Sequence, residues 1–456
     1  MKDLLIYCYV RPWNFKQFSL LANEIWPENA NIVFVSEHQG VDHSQLNHRY
    51  YQNLKATSLD TANIDVILSE ERKAEIVLRC RLLRVMSDSE ARKHLNAMAV
   101  AIHSGFKEGV PDYFLSLTVD SYILDLYDNF CDYFSVKKIF LVPTFVNGHF
   151  RVTSKGEGTI NSQSSQELAD ELRTTLLNPL YVPSFNTKST KSPVKYILKR
   201  WLSNLLRVPY FFIKRYLSHD KFNYHYWSSQ VVSQLNFNYL PKLSFGDPAW
   251  EECLKERQKP SIYIPLQMVP ECTVDYWVND VAYADYYNVI DKFIDTYSAD
   301  FNIIIKEHPS ILGSRPIGFY KNMELRKDVT IVPTYTPSNY VIEKADSILV
   351  LTGTVGFEAA LRGKAVFSFA EPYYKYGRFI HTISLDTPAE YLNEQIRKAN
   401  ESPVTSAEQD ELLEHLCTQL YKGRFLNDGT WDENNPEHRH DTLTMAQSLK
   451  ASFGQK

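Results

Sequence analysis

Cysteine is sparse and scattered. The six residues Cys8, Cys80, Cys131, Cys253, Cys272 and Cys417 contain no C-x-x-C pair. They make neither a disulfide framework nor a zinc site, and a reducing cytoplasm is the expected compartment. No apolar run approaches the ~18 residues that a membrane span needs. The short apolar stretch Leu4–Val10 follows Asp3 and leads to no small-residue cleavage site. It reads as a first β-strand rather than a signal peptide. Positive charge is not in excess: 49 Lys and Arg stand against 54 Asp and Glu, a net charge of −5. A histone-like, strongly basic nucleic-acid binder is thereby excluded. Glycine periodicity, disorder-type composition and heptads are absent as well. What remains is a chain of 456 residues, 44% hydrophobic, long enough for two large α/β domains or about three of ordinary size.

Strand-like and helix-like patterns alternate over the first 160 or so residues. Leu4–Val10, Asn31–Ser36, Tyr113–Leu117 and Lys138–Val142 read as strands, with helices at Phe15–Trp26 and 88–105. A second alternation starts at Ser261. Its strands are 261–266, 301–306, 329–333, 347–351 and 365–369, with helices at 283–297 and 355–361. Such alternation predicts parallel sheets covered by helices on both faces. The expected organisation is an N-terminal Rossmann-like domain (1–162), a helical basic-aromatic insert (163–250), a C-terminal Rossmann-like domain (251–400) and C-terminal helices (401–456) returning to the first domain. Two such domains facing one another would place a ligand cleft between the carboxyl ends of their sheets.

The sharpest segment is Thr352-Gly-Thr-Val-Gly-Phe-Glu358, which follows a buried strand and opens a helix. Gly353 and Gly356 would let the backbone approach a ligand, the helix N-terminus would offer free N–H groups, and Thr352 and Thr354 add hydroxyls. Glu358 in the first turn could accept ribose hydroxyls. Six residues separate Gly356 from Gly363, so this is not a Walker A loop. Lys306-Glu-His-Pro309 follows another strand, and Lys306 and His308 could both donate to a phosphate, with Pro309 fixing the turn. Gln267 and Glu271 follow the strand 261–266. In the first half, Glu157 sits between Gly156 and Gly158 in a polar loop or hairpin. Asp120 follows FLSLTV, either as a second carboxylate or as a helix N-cap. Arg79, Arg81 and Arg84 form a solvated helix face or an anion site.

No two aspartates are separated by one residue, so there is no D-x-D pair of the kind that holds a divalent ion on a nucleotide diphosphate. No His/Cys cluster offers a metal site either, and no cofactor is expected. The stretch from about Ile262 to Tyr374, with PLQMVPECTVDYW, KEHPS, LTGTVGFEAALRGKAV and EPYY, resembles bacterial capsule and surface-polysaccharide glycosyltransferases of the GT-B fold. The relatives of that group include capsular Kdo transferases and transferases of sialic-acid-like nonulosonic acids. The resemblance implies a CMP-activated donor, contacted by His308–Pro309 as by the HP motif of related sialyltransferases. It also implies an acidic D/E-D/E-G motif, to which Lys155-Gly-Glu157-Gly158 is the nearest match, lacking the first acid. Candidate catalytic carboxylates are therefore Glu157, then Asp120 and Glu271, acting as base (inversion) or nucleophile (retention).

The competing readings are a transferase of the same fold using a UDP- or GDP-sugar, a GT-B-like nucleotide-sugar epimerase, and a non-catalytic membrane-docked assembly partner. Expected partners are a nucleotide sugar and a glycan or glycolipid acceptor, without nucleic acid. Residues 188–221 carry nine Lys and Arg against one acid, interleaved with aromatics and leucines. Pro209 is expected to split them into two short helices or a kinked one. Lys195, Lys199, Arg200, Trp201, Lys214 and Arg215 are the candidate contacts with an anionic membrane surface, which would place the protein on the inner face of the cytoplasmic membrane.

Overall fold

The computed structural model describes residues 4–162, 166–178, 193–217, 245–256, 259–313, 315–426 and 430–453. They form two compact units. The first is Met1–Ser164 with Asp275–Trp277 and Thr418–Lys456, and the second is Ser165–Val274 with Val278–Cys417. The strands in chain order are β1 Leu5–Tyr9, β2 Asn31–Val35, β3 Tyr113–Leu117, β4 Lys137–Pro143, β5 His149–Lys155, β6 Gly158–Thr159, β7 Ser261–Pro265, β8 Asn302–Lys306, β9 Val329–Val332, β10 Ser347–Val350, β11 Ala365–Ser368, β12 Ile380–Thr382 and β13 Tyr421–Lys422.

The first sheet runs β13-β5-β4-β3-β1-β2, with β6 paired to β5. Its four strands β4, β3, β1 and β2 are parallel, while β5, β6 and β13 add antiparallel pairs at one edge. The chain leaves β1 for β2 on one side and then returns to β3 and β4 on the other. The order therefore reverses between β1 and β3. The core is built from period-2 and helical stripes. Ile6 and Cys8 face Phe18, Leu21 and Ala22 of the helix Phe15–Ile25, and the C-terminal helix Pro436–Phe453 contributes Met445, Ala446 and Leu449. Residues 401–417 group with the second unit, and the chain from Thr418 onward groups with the first.

The second sheet runs β12-β11-β10-β7-β8-β9 and is parallel throughout. Its central strands are buried almost throughout, as in β8 (NIIIK), where every residue is covered. Continuous β-branched runs of this kind suit a sheet covered on both faces. Here the order reverses between β7 and β10. The chain is thus α/β with two Rossmann-like, mainly parallel sheets, as its alternating patterns indicate.

Local departures have physical causes. The Gly-flanked stretch 147–159 is a β-hairpin, with Gly156 at φ +56° making the turn. Helix Pro193–Leu217 runs on through Pro209, so of the two expected forms the single helix is found and not the pair of short ones. The proline removes only the N–H that would reach the Leu205 carbonyl, and that stretch of helix is largely exposed, so the freed carbonyl can face water. A further strand, β12, follows β11, where the sequence pattern had ended.

Candidate functional site

The candidate residues of the second unit gather at the reversal point of its sheet, outside the carboxyl ends of its three central strands, where open α/β sheets bind ligands. β7 ends into Gln267, β10 into Thr352, and β8 into Lys306, Glu307 and His308. Gln267 Nε2 donates to Thr352 Oγ1 and to Thr273 Oγ1, each at 3.2 Å, and the Thr273 hydroxyl donates to Glu271 Oε2 at 2.9 Å. Gln267, Glu271 and Thr352 are therefore one connected group.

Lys306 is 4% exposed and its Nζ lies 3.3 Å from Ser338 Oγ. Burial pushes its pKa down to about 8, against the opposing attraction of Glu307 and Glu358. Glu358, 3% exposed, is pushed up to about 7 by burial, against the pull of Arg362 and Lys306. Near neutrality this buried cation and acid both sit close to their titration points, a condition that favours functional sites.

His308 is neutral here, and its tautomer follows from geometry. Its Nδ1 faces the Ser310 N–H at 3.2 Å and accepts from it, so the ring proton resides on Nε2. Packing around the ring, with Lys306 and Arg315 nearby, pushes its pKa down to about 4 despite Glu307. His308 thus offers a neutral N–H donor rather than a charged one. Pro309 starts the turn that the Ile311 N–H closes onto the His308 carbonyl at 3.1 Å.

Gly356 has a different role from the one expected of it. A Cβ there would lie 2.5 Å from the Tyr374 hydroxyl and 3.0 Å from Val350 Cγ2. Its smallness therefore serves packing of the helix Val355–Leu361 onto β10, not ligand approach. Gly353 is different, because a Cβ there would meet only Val350 Cγ1 at 3.8 Å. Thr354 occupies the N-cap position without a side-chain cap. The helix is only seven residues long.

Behind these residues lies a fully buried polar network that sequence reasoning missed. Glu307 and Arg315 are both 0% exposed. Arg315 grips the Glu307 carboxylate with two donors at 2.7 and 2.8 Å and donates to the Gln267 carbonyl at 2.7 Å. Tyr320 donates to the same carboxylate at 2.7 Å, and the His308 N–H donates to it at 2.6 Å. One buried ion pair therefore fixes the loops after β7 and β8.

The first unit carries its own cluster at its own reversal point. Arg11 follows β1, Glu37 follows β2 and Asp120 follows β3. Arg11 makes a two-pronged contact with Asp120 at 2.7 and 2.8 Å, and its Nε meets Glu37 at 3.1 Å. The Tyr9 hydroxyl also donates to Glu37. Glu37 is buried, and Arg11, His38 and Tyr9 together hold its pKa below the ordinary value although burial opposes them. Asp120 keeps 28% of its side chain exposed. It is not the N-cap of the next helix, since Ser121 takes that place by accepting from the Leu124 N–H. The two residues beside Asp120 could be found in sequence only as the single positions that follow the runs LIYCYV and NIVFVS.

Glu157 is placed differently. The register pairs Thr153 with Phe140, so the turn after Lys155 comes out beside the start of β4, not at the carboxyl ends of β1 and β3. Glu157 is 8% exposed and lies 3.7 Å from the buried Arg151. Arg81 and Arg84 do meet an anion, but an internal one, and Arg79 joins them at the same residue. Arg84 reaches the Asp275 carboxylate at 3.0 Å, Arg81 also bonds to that carboxylate, and Arg79 donates to the Asp275 carbonyl at 3.0 Å. Of the basic-aromatic candidates, Lys195, Lys199 and Lys214 are exposed and Trp201 half-buried. Arg200 turns inward, donating to the carbonyls of Ser310 and, at 2.6 Å, Leu312, and is withdrawn as a surface contact. The Arg215 side chain lies outside the described residues. Among the described residues no group of three or more His, Cys, Asp or Glu could hold a metal ion.

The family model for capsule polysaccharide biosynthesis proteins matches residues 207–421. No protein with a curated description matches the chain. Among solved structures, KpsC of Thermosulfurimonas dismutans, a beta Kdo 2,7 transferase, is similar at 11% identity and a TM-score of 0.36, over 98% of this chain and 100% of that one. The beta Kdo 2,4 transferase of the same organism's KpsC gives 12% and 0.29 over 67% and 88%. UDP-GlcNAc 2-epimerase of Methanocaldococcus jannaschii gives 12% and 0.27 over 91% and 99%. Gln267, Lys306, His308, Thr352 and Glu358 all fall inside the segment 207–421, the part of the chain that is similar to the capsule polysaccharide biosynthesis proteins.

Proposed function

We propose that the chain is a glycosyltransferase of capsule polysaccharide synthesis, which takes a CMP-activated ulosonic acid, Kdo or a nonulosonic acid, and transfers it to a hydroxyl of a glycan or glycolipid without a metal ion. The observation that carries this reading is the Gln267–Thr352 bond at the reversal point of the second sheet, flanked by Lys306, His308 and Glu358. A CMP-sugar leaves as a monophosphate. One buried ammonium and one neutral N–H donor suit a single phosphate, and no diphosphate needs bridging. Glu358, ionised, accepts from the ribose hydroxyls.

In the reaction the acceptor oxygen bonds to the anomeric carbon while the bond from that carbon to the phosphate oxygen breaks, and CMP departs with the electron pair. The acceptor proton passes to a carboxylate, directly or after a covalent intermediate. We assign that carboxylate to Asp120, which is partly exposed at the carboxyl ends of parallel strands and oriented by Arg11. The acceptor is assigned to lipid-linked glycan at the inner face of the cytoplasmic membrane. No described helix is long and apolar enough to cross a membrane.

Calorimetry with CMP tests the donor site. Lys306→Met removes a charge-assisted contact and should weaken binding by roughly 10- to 100-fold, while His308→Ala, losing a neutral donor, should cost only about 3- to 10-fold. Proton linkage gives a second signature. Hydroxyls donating to Glu358 favour its charged form, so binding just below pH 7 should release protons. A phosphate beside Lys306 favours the ammonium, so binding just above pH 8 should take protons up. Unchanged affinity in both variants, with no proton exchange at either pH, would refute the site.

A further inference from the structure

We propose that the helix Pro193–Leu217 lies on an anionic lipid surface and that Arg200 straps it to the His308 loop, so that docking tightens the donor site. The proposal rests on the donor site proposed above and adds a control to it.

The helix faces inward with a narrow stripe, in which Ile197, Asn204 and Phe211 are buried. The opposite face is mainly apolar where an ordinary surface helix is polar, with Lys195 and Lys199 set among its apolar side chains. Leu198, Leu202, Leu206, Tyr210, Ile213 and Leu217 are 50–79% exposed. At about 100° per residue, these six fall within an arc of roughly 120°. Lys195, Lys199, Arg207 and Lys214 are exposed along the same helix, which contains no acidic residue. Arg207 lies 5.3 Å from the Phe211 ring and Lys214 5.9 Å from the Tyr210 ring, so basic heads and apolar bodies travel together.

This chemistry commits the face to one occupant. A purely apolar partner would leave the lysines desolvated, and an acidic protein surface would leave the leucines in water. An anionic bilayer satisfies both, with headgroups for the cations and the acyl boundary for the leucines and aromatics. The helix lies along the surface and does not span, because Lys199, Arg200 and Arg207 fall in its middle and no described helix has the hydropathy of a span.

The link to the donor site is short. Arg200 donates to the carbonyls of Ser310 and Leu312. The Ser310 N–H donates to His308 Nδ1 at 3.2 Å and so sets the tautomer that presents Nε2–H. A helix held by a bilayer would restrain Arg200, hence Ser310, hence the His308 ring.

The test uses the full chain and two vesicle types, phosphatidylcholine alone and phosphatidylcholine mixed with phosphatidylglycerol. The chain should pellet with the mixed vesicles at low salt and be released by high salt. Each basic residue should contribute about a fivefold factor in partition, so the variant with Lys195, Lys199, Arg207 and Lys214 all changed to Gln should stay in the supernatant while binding CMP as the wild type does without vesicles. CMP affinity of the wild type should rise severalfold on adding mixed vesicles. Arg200→Met should still pellet but lose that rise, and Arg200→Lys serves the same purpose if the methionine variant fails a thermal melt. Wild type left in the supernatant with mixed vesicles at low salt, or pelleting equally with phosphatidylcholine alone, overturns the docking claim. Equal CMP affinity with and without vesicles overturns the strap. Absence of CMP binding under every condition would instead refute the donor site, and vesicle pelleting would read out independently of it.

Discussion

Replacing Asp120 by Asn should lower turnover by about 10²–10⁴-fold, the usual share of a positioned proton acceptor, while CMP binding measured by calorimetry stays within error of the wild type. The asparagine is isosteric and its carbonyl can still accept from Arg11, which also keeps its contact with Glu37 at 3.1 Å. The fold should therefore survive, and a thermal melt checks that it does. Glu157→Gln is the paired control. Glu157 stood first among the carboxylates by its Gly-flanked motif, but it lies 3.7 Å from a buried arginine beside the start of β4. Turnover in Glu157→Gln should remain well above that in Asp120→Asn. Loss of turnover in Glu157→Gln with activity retained in Asp120→Asn would return the role to Glu157.

Arg315→Ala should destabilise the protein by about 3–5 kcal/mol, because it leaves the Glu307 carboxylate buried without its counter-charge. Both partners are 0% exposed, so solvent cannot substitute. For a unit of this size the melting temperature should fall by roughly 6–20 °C. The double change Glu307→Gln with Arg315→Met removes both charges and should recover much of the loss. A melting temperature unchanged in Arg315→Ala would show that the pair is not the buried clamp described. The double variant, if folded, should still bind CMP more weakly than wild type, since the Gln267 carbonyl and the His308 N–H lose the partners that fix them.

The second half of the chain was the more legible in sequence. Strands such as FNIIIK and SILVL announce their carboxyl ends, and whatever follows them must stand at the sheet's mouth. That is why Lys306, His308, Thr352 and Glu358 could be picked out singly. Their mutual placement needed the strand order, because only adjacency of β7 and β10 brings Gln267 to Thr352. Arg11 and Glu37 escaped notice for the same reason. Each is one polar residue after an apolar run, and nothing local marks it until β1, β2 and β3 are known to be neighbours. Glu307 and Arg315 escaped because charged residues are read as exposed by default; their burial is a consequence of tertiary packing. Gly356 was legible as a constraint but not as to its cause, since Tyr374 lies eighteen residues away in sequence and directly against it in space. Pro209 left two forms open in sequence, and the single helix holds because an open face tolerates one lost hydrogen bond.

The most direct test is nucleotide release by the purified chain offered CMP-Kdo, a CMP-nonulosonic acid, UDP-GlcNAc or a GDP-sugar, each with and without a capsule-type glycolipid acceptor, in EDTA. CMP should be released from one of the CMP-sugars, only when acceptor is present, and at the same rate with the chelator as without it. Release of UDP or GDP instead, conversion of UDP-GlcNAc in the absence of acceptor, or activity lost in EDTA and restored by Mg²⁺ or Mn²⁺ would contradict a metal-independent CMP-sugar transferase.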